Sequence, residues 1–197
     1  MSDGDLSQGL RVSTGNFDTV NDDNPGGGSS APGFAPSQLG KKVKVAADSV
    51  LNFSLTENRL PGTLQYVRSL STDTQLPTLG ALAFWNDRTN FIASTAVASA
   101  TVENFAGIWL GSYPNSGKYG FIKIAEDGGK ALVSFAGSTP AAGEIAQAQT
   151  GSNVATRVTA GTDIKGYSFG VIETAKGGTG SYGADAVVVS LRAPVSA

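Results

Sequence analysis

The residues of this chain leave only a narrow range of chemistry open. Its 197 residues include no histidine and no cysteine. That removes the commonest general base, the commonest transition-metal ligands, disulfides and thiolate sites, and it excludes Ser-His-Asp and Cys-His catalysis. Carboxylate pairs, Ser-Lys pairs and hard-cation sites are what remain. The acids that stand out are Asp163, Glu173 and Asp185. A paired-carboxylate glycosidase needs two such groups facing one cleft, whereas acids on loops and strand edges are ordinarily solvated, and the second reading is taken here. Gly128-Gly129-Lys130 and Gly177-Gly178-Thr179-Gly180 are glycine-rich but lack the Gly-x4-Gly-Lys-Ser/Thr spacing of a phosphate loop, so they read as hairpin turns. Asp22-Asp23-Asn24 has the start of a calcium loop without its glycine and distal glutamate in place, and Glu126-Asp127-Gly128-Gly129 reads as a turn. No catalytic residue, cofactor site or metal site is expected, and the chain does not read as an enzyme.

Residues suited to holding a partner are easier to find. Lys41, Lys42 and Lys44 form a basic cluster with period-two spacing. They read either as strand-edge lysines that discourage aggregation or as a salt-sensitive contact with an acidic surface. Upstream, Phe17, Val20, Phe34 and Leu39 are isolated apolar residues in a Gly-, Pro- and Asp-rich stretch. Such residues can dock one at a time when a flexible segment orders against a neighbour. Trp109 alternates with Ile108 and Leu110. Core packing is the default for an aromatic on a strand, and an interface is the alternative because interfaces enrich tryptophan. The net charge of −2 gives no electrostatic reason to expect a nucleic-acid partner. MSDGDLSQGL has no basic, apolar leader, and no run of about 18 apolar residues occurs, so neither a secretory signal nor a membrane-spanning helix is expected.

The elements that must position these residues are strands. Only 15% of residues are charged and 26 are glycine, a composition suited to short strands joined by tight turns. Residues 1–40 hold five acids and one base and read as a flexible or extended N-terminal arm, either a disordered tail or a segment that orders against a neighbouring subunit; residues 41–197 read as the β-rich, partner-binding domain. Strands are expected over 42–45, 50–55, 63–67, 81–85, 107–110, 119–124, 130–135, 144–148, 154–158, 170–173 and 186–191, with turn residues every 8–12 positions. Residues 95–103 are Ala-rich but β-branched and poorly capped, and so are ambiguous between helix and strand. The fold class is therefore all-β, a compact barrel or sandwich preceded by an arm.

Part of the domain is repeated. A shift of 63 residues lays 77–124 on 140–187 and matches Pro77/Pro140, Gly80/Gly143, Ala83/Ala146, Asn90/Asn153, Gly107/Gly170, Gly117/Gly180, Tyr119/Tyr182 and Gly120/Gly183. Glycines at equal spacing mark a repeated strand-turn-strand unit. The shift pairs Asp163, Glu173 and Asp185 with Ala100, Leu110 and Ile122, so the two copies share no acidic site.

These units resemble the capsid decoration, or cement, proteins of tailed bacteriophages. The resemblance rests on the entries Pro77-Thr78-Leu79-Gly80 and Pro140-Ala141-Ala142-Gly143, on the strands Gly107-Ile108-Trp109 and Gly170-Val171-Ile172, and on the closing strand Ala186-Val187-Val188-Val189-Ser190-Leu191. It covers roughly residues 75–195. It implies a small β-barrel or β-tulip-like fold on the outer surface of an icosahedral capsid. The implied partners are the major capsid protein and further copies of the chain, often as a homotrimer, with no catalytic residue to carry over. The alternative is a head fibre, spike or tail adhesin that binds a host-surface glycan.

Overall fold

The computed structural model describes residues 39–45, 60–75, 77–96, 100–110, 117, 119–135, 140–158, 167–173 and 186–196. The fold is all-β, as the composition and turn spacing lead one to expect. The first group of strands is β1 (Lys42–Val45), β2 (Gly62–Ser69), β3 (Leu82–Asp87), β4 (Ile92–Ser94), β5 (Phe105–Trp109) and β6 (Tyr119–Lys123). The second is β7 (Lys130–Ser134), β8 (Ile145–Ala148), β9 (Thr156–Val158), β10 (Tyr167–Ile172) and β11 (Ala186–Ser196). One 3-10 turn, Val102–Asn104, precedes β5; it is the only helical piece among the described residues of the ambiguous segment 95–103. Strand β4 escapes the sequence reading because three residues are too few to show a period. The expected strand over 50–55 lies outside the described residues.

Strands β2, β4, β3, β5 and β6 hydrogen-bond in that order, and β6 returns to β2, closing a five-stranded barrel. All neighbours are antiparallel except β2 and β4, which pair through Arg68↔Ile92 and Ser69↔Ala93 in parallel. Closure leaves no edge within the ring. The eight residues of β2 reach three neighbours: β6 along one side, and β1 and then β4 along the other. This explains why GTLQYVRS is buried almost throughout and shows no hydrophobic alternation.

The second sheet repeats this plan. Its order is β7-β11-β10-β8-β9, and a parallel bridge, Phe135↔Ala155, joins the β7 end to the start of β9. Read from β7, the ring runs β9, β8, β10, β11, the sequence of the first barrel five elements on. The register agrees as well. Leu82↔Ile108 and Ala83↔Gly107 in the first unit correspond to Ile145↔Val171 and Ala146↔Gly170 in the second. A register shift follows at the same place in both, leaving Ala106 and Phe169 as the extra residues of matching β-bulges. Gly107 and Gly170 are required at these positions. A Cβ on Gly107 would stand 2.3 Å from the Lys123 carbonyl oxygen, and one on Gly170 would stand 2.5 Å from that of Ser190. The turn hydrogen bonds repeat too: Gly80 N–H to Trp109 O and Gly143 N–H to Ile172 O, at 2.9 and 2.8 Å.

The fixed 63-residue shift holds through β3 and β5 and fails after them. Ile108↔Lys123 corresponds to Val171↔Ser190, and Arg68↔Tyr119 to Ser134↔Ala186, so Lys123 matches Ser190 and Tyr119 matches Ala186. The loop between β10 and β11 is longer than that between β5 and β6, which displaces the register. The aligned Gly180, Tyr182 and Gly183 lie outside the described residues. Strands β2 and β7 also belong to the unit, ahead of the 77–124 and 140–187 windows.

Two cores result. Val67, Ala81, Ala83, Ala93, Ala106, Trp109 and Ile122 fill the first barrel. A larger cluster fills the second unit with Val133, Ala146, Ala155, Phe169, Ile172 and Val189, and takes in Leu82, Phe84, Phe105 and Ile108 from the outer face of β3 and β5. Phe105 stacks on Phe169 with centroids 5.1 Å apart. Apolar burial of this kind, about 25 cal/mol per Å², is what joins the units. Main-chain bonds from Ser134 N–H to Gly80 O and from Leu82 N–H to Asn153 O, at 2.9 and 2.8 Å, fix their orientation.

Candidate functional site

An open cleft of about 530 Å³ lies against the first barrel. Four aromatic side chains contribute to its wall: Trp85, Phe91, Phe105 and Tyr167. Trp85 stands near the end of β3, and Phe91 in the β3–β4 turn meets it edge-on with centroids 6.3 Å apart. Phe105 begins β5 and meets Tyr167 of β10 edge-on at 6.4 Å. The polar components are Gln65 from β2, Lys42 from β1, Arg88 from the β3–β4 turn and Glu103 from the 3-10 turn. Lys42, Arg88 and Glu103 are exposed, so the rim carries two positive charges and one negative charge.

Local backbone chemistry sets this wall. Asp87 accepts from the Asn90 main-chain N–H at 3.0 Å and from its side-chain amide at 2.7 Å, tying the turn that carries Arg88. The Asn90 side-chain amide and then its N–H hold the Asp87 carboxyl below the usual carboxylate range. Phe91 has φ 53°, a left-handed conformation uncommon for a bulky residue. That strain is offset by a hydrogen bond from Arg68 N–H to Phe91 O at 3.0 Å and by the ring's seat on Gly40. A Cβ on Gly40 would fall 2.2 Å from the Phe91 ring, so the glycine is what admits it.

The expected partner-binding residues are dispersed. Lys42 and Lys44 are both exposed on β1, opposite Gln65 and Thr63, and β1 forms the end of its sheet among the described residues. Lys41 is half-buried, and Lys42 alone of the three lines the cleft. Leu39 is half-buried in the turn that enters β1. Phe17, Val20 and Phe34 lie outside the described residues. Trp109 does not belong to a partner surface. It is fully buried in the first barrel, because its place on β5 points it inward among four alanines small enough to admit an indole. Trp85, Arg88, Phe91 and Tyr167 were missed as site residues, because nothing local in the sequence shows that the turn after β3 and the start of β10 will line one cleft.

Of the three acids singled out in the sequence, Glu173 alone is among the described residues. Glu173 is an exposed partner of Lys130 Nζ and of the Ser190 hydroxyl. The Ser190 hydroxyl first, then Lys130, lowers its pKa. Asp163 and Asp185 lie outside the described residues. The buried Asp73 accepts from the Ser94 hydroxyl at 2.8 Å and from Thr95 N–H at 2.9 Å, tying the β2–β3 connection to β4. Glu144 pairs with Arg157. Glu126 accepts from the Thr63 hydroxyl, and Gly129 N–H bonds Glu126 O, making 126–129 a turn. No group of three or more acids, histidines and cysteines placed to hold a metal occurs among the described residues. No protein-family model matches this chain, and no curated protein matches it in sequence.

Proposed function

We propose that this chain is a non-catalytic virion protein that binds the outer surface of an icosahedral bacteriophage capsid and stabilises the shell. The observation that carries the reading is the tandem construction, one five-stranded unit built twice and packed through a shared apolar core. Such a body offers a rigid block rather than a convergent set of reactive groups. Strand β1 supports the same reading. It brings the exposed Lys42 and Lys44 to what is the end of the sheet among the described residues, shortly after the acid-rich stretch 1–38. An edge of this kind accepts a further strand through main-chain hydrogen bonds, and the two lysines favour an acidic partner such as a major capsid protein subunit. Repetition over a lattice makes a modest contact sufficient. Association of several copies, for example as a homotrimer, belongs to the same proposal. A second reading, a head fibre or tail adhesin that binds a glycan, is favoured by the aromatic wall Trp85, Phe91 and Tyr167 beside Gln65 and Arg88. Quantitative mass spectrometry of purified particles separates the two. Hundreds of copies per particle support decoration, a dozen or fewer support an adhesin, and none removes both.

A further inference from the structure

We infer that the cleft of the first unit is a socket for the outer face of β8 and β10 of a second copy of this chain. The inference stands on the internal equivalence alone and does not depend on the capsid reading. Within one chain, the outer face of β3 and β5 closes the inner face of the second unit, with Phe105 stacked on Phe169. The strand registers map Ala131, Ala148, Phe169 and Leu191 of that receiving surface onto Gln65, Trp85, Ala106 and Ile124. Those four residues line the cleft. The filled mouth of the second unit and the open cleft of the first are thus one site built twice.

The same registers carry the plug, Leu82, Phe84, Phe105 and Ile108, onto Ile145, Gln147, Ser168 and Val171. Ile145, Ser168 and Val171 are half-exposed, and none of the four lines the cleft of its own chain. Bulk is redistributed on the two surfaces. The stacked pair Phe105 and Phe169 becomes Ser168 and Ala106, which leaves room between plug and socket, and the socket recovers bulk where Ala148 becomes Trp85. Polarity rises on both sides together: Phe105 becomes Ser168 on the plug, whose Gln147 at the Phe84 position is buried within its own chain, Ala131 becomes Gln65 in the socket, and Lys42, Arg88 and Glu103 stand at its rim. A contact between two different surfaces of identical chains is heterologous, and it closes into a ring or extends as a row.

Sedimentation velocity on the full chain tests this, with Val171→Asp disabling the plug and Trp85→Ser the socket. Arg88→Glu, at an exposed position, serves as a second socket variant should Trp85→Ser fail to fold. Wild type is expected to form species heavier than two chains as concentration rises. Each variant alone should stay monomeric, and their equimolar mixture should stop at a dimer, since one intact plug meets one intact socket. Three results would overturn the inference: a wild type that remains monomeric up to about 1 mM, plug and socket variants that assemble like wild type, or assembly lost only on deleting residues 2–38, which would assign the socket to the N-terminal stretch.

Discussion

The two units share a plan and distribute their bulk differently. In the first barrel the extra residue of the bulge is Ala106 and the inward residue three positions on is Trp109; in the second they are Phe169 and Ile172. A small-large pair has become a large-medium pair on the same inner wall. Interiors tolerate such exchanges when total volume is kept. The outer faces differ more. Leu82, Phe84, Phe105 and Ile108 are buried, whereas three of their four counterparts are half-exposed and two are polar. The backbone plan therefore sets where a side chain points, and the neighbour on that face decides what it must be.

Substitutions at matched positions test that statement. The largest effect is expected at the bulge glycines, where any Cβ meets a carbonyl oxygen. Gly107→Ala and Gly170→Ala should each cost on the order of 3 kcal/mol. Gly107, with φ 151° and the shorter approach, should suffer more. Equal stability of either variant and wild type in urea denaturation would show that the bulges are not equivalent constraints. Next, Phe105→Ser should cost about 3 kcal/mol through the cavity left against Phe169, while Ser168→Ala at the counterpart should cost less than about 1 kcal/mol. A large loss at Ser168 would mean that its face is covered in the isolated chain.

A smaller contrast lies in the pair Ser94 and Thr156. Ser94 donates to the buried Asp73 carboxylate, and Ser94→Ala should destabilise by roughly 1–3 kcal/mol. The buried Thr156 hydroxyl oxygen has no hydrogen-bond partner among the described residues. Thr156→Val, which keeps the shape, should therefore be neutral or raise the melting temperature. The smallest effect is expected at Glu173. Its pKa is lowered in the folded chain, so its contribution is complete above the ordinary value of 4.5 and fades as pH falls through the folded value. Glu173→Gln should flatten only the acid limb of a stability–pH profile, by well under about 1 kcal/mol for so exposed a pair. A change near pH 7 that exceeded the acid-limb change would contradict that assignment.

Much of the fold can be read from the chain. The Gly107/Gly170 match reveals a repeat because a Cβ at either position would meet a backbone carbonyl oxygen, and the Gly80/Gly143 match because both turns need a positive φ. Strand β2 marks where that reading stops. GTLQYVRS shares only the valine Val67/Val133 with KALVS of β7, since a strand with three neighbours and one with fewer need different side chains on the same path. The loop between β10 and β11 hides the last strand pair from any fixed shift. The site was less legible still. Lys42 was identified by its charge, but Trp85 and Phe91, which meet across the β3–β4 turn, line one cleft with Tyr167 only through the seating of one unit on the other. Trp109 misled because a tryptophan between two aliphatic residues looks the same in sequence whether it points in or out.

The one-way packing of the units bears on how the protein is made. The second unit relies on Phe105 and its neighbours to cover its inner face, and those residues leave the ribosome before any strand of that unit. The first barrel closes through Tyr66↔Phe121 and needs nothing made later for that ring. Synthesis from the N-terminus thus presents a finished cap to the unit that requires one, and limits the time its apolar face is open to other chains. A permuted gene that placed β7–β11 first would reverse that order and lengthen the exposure.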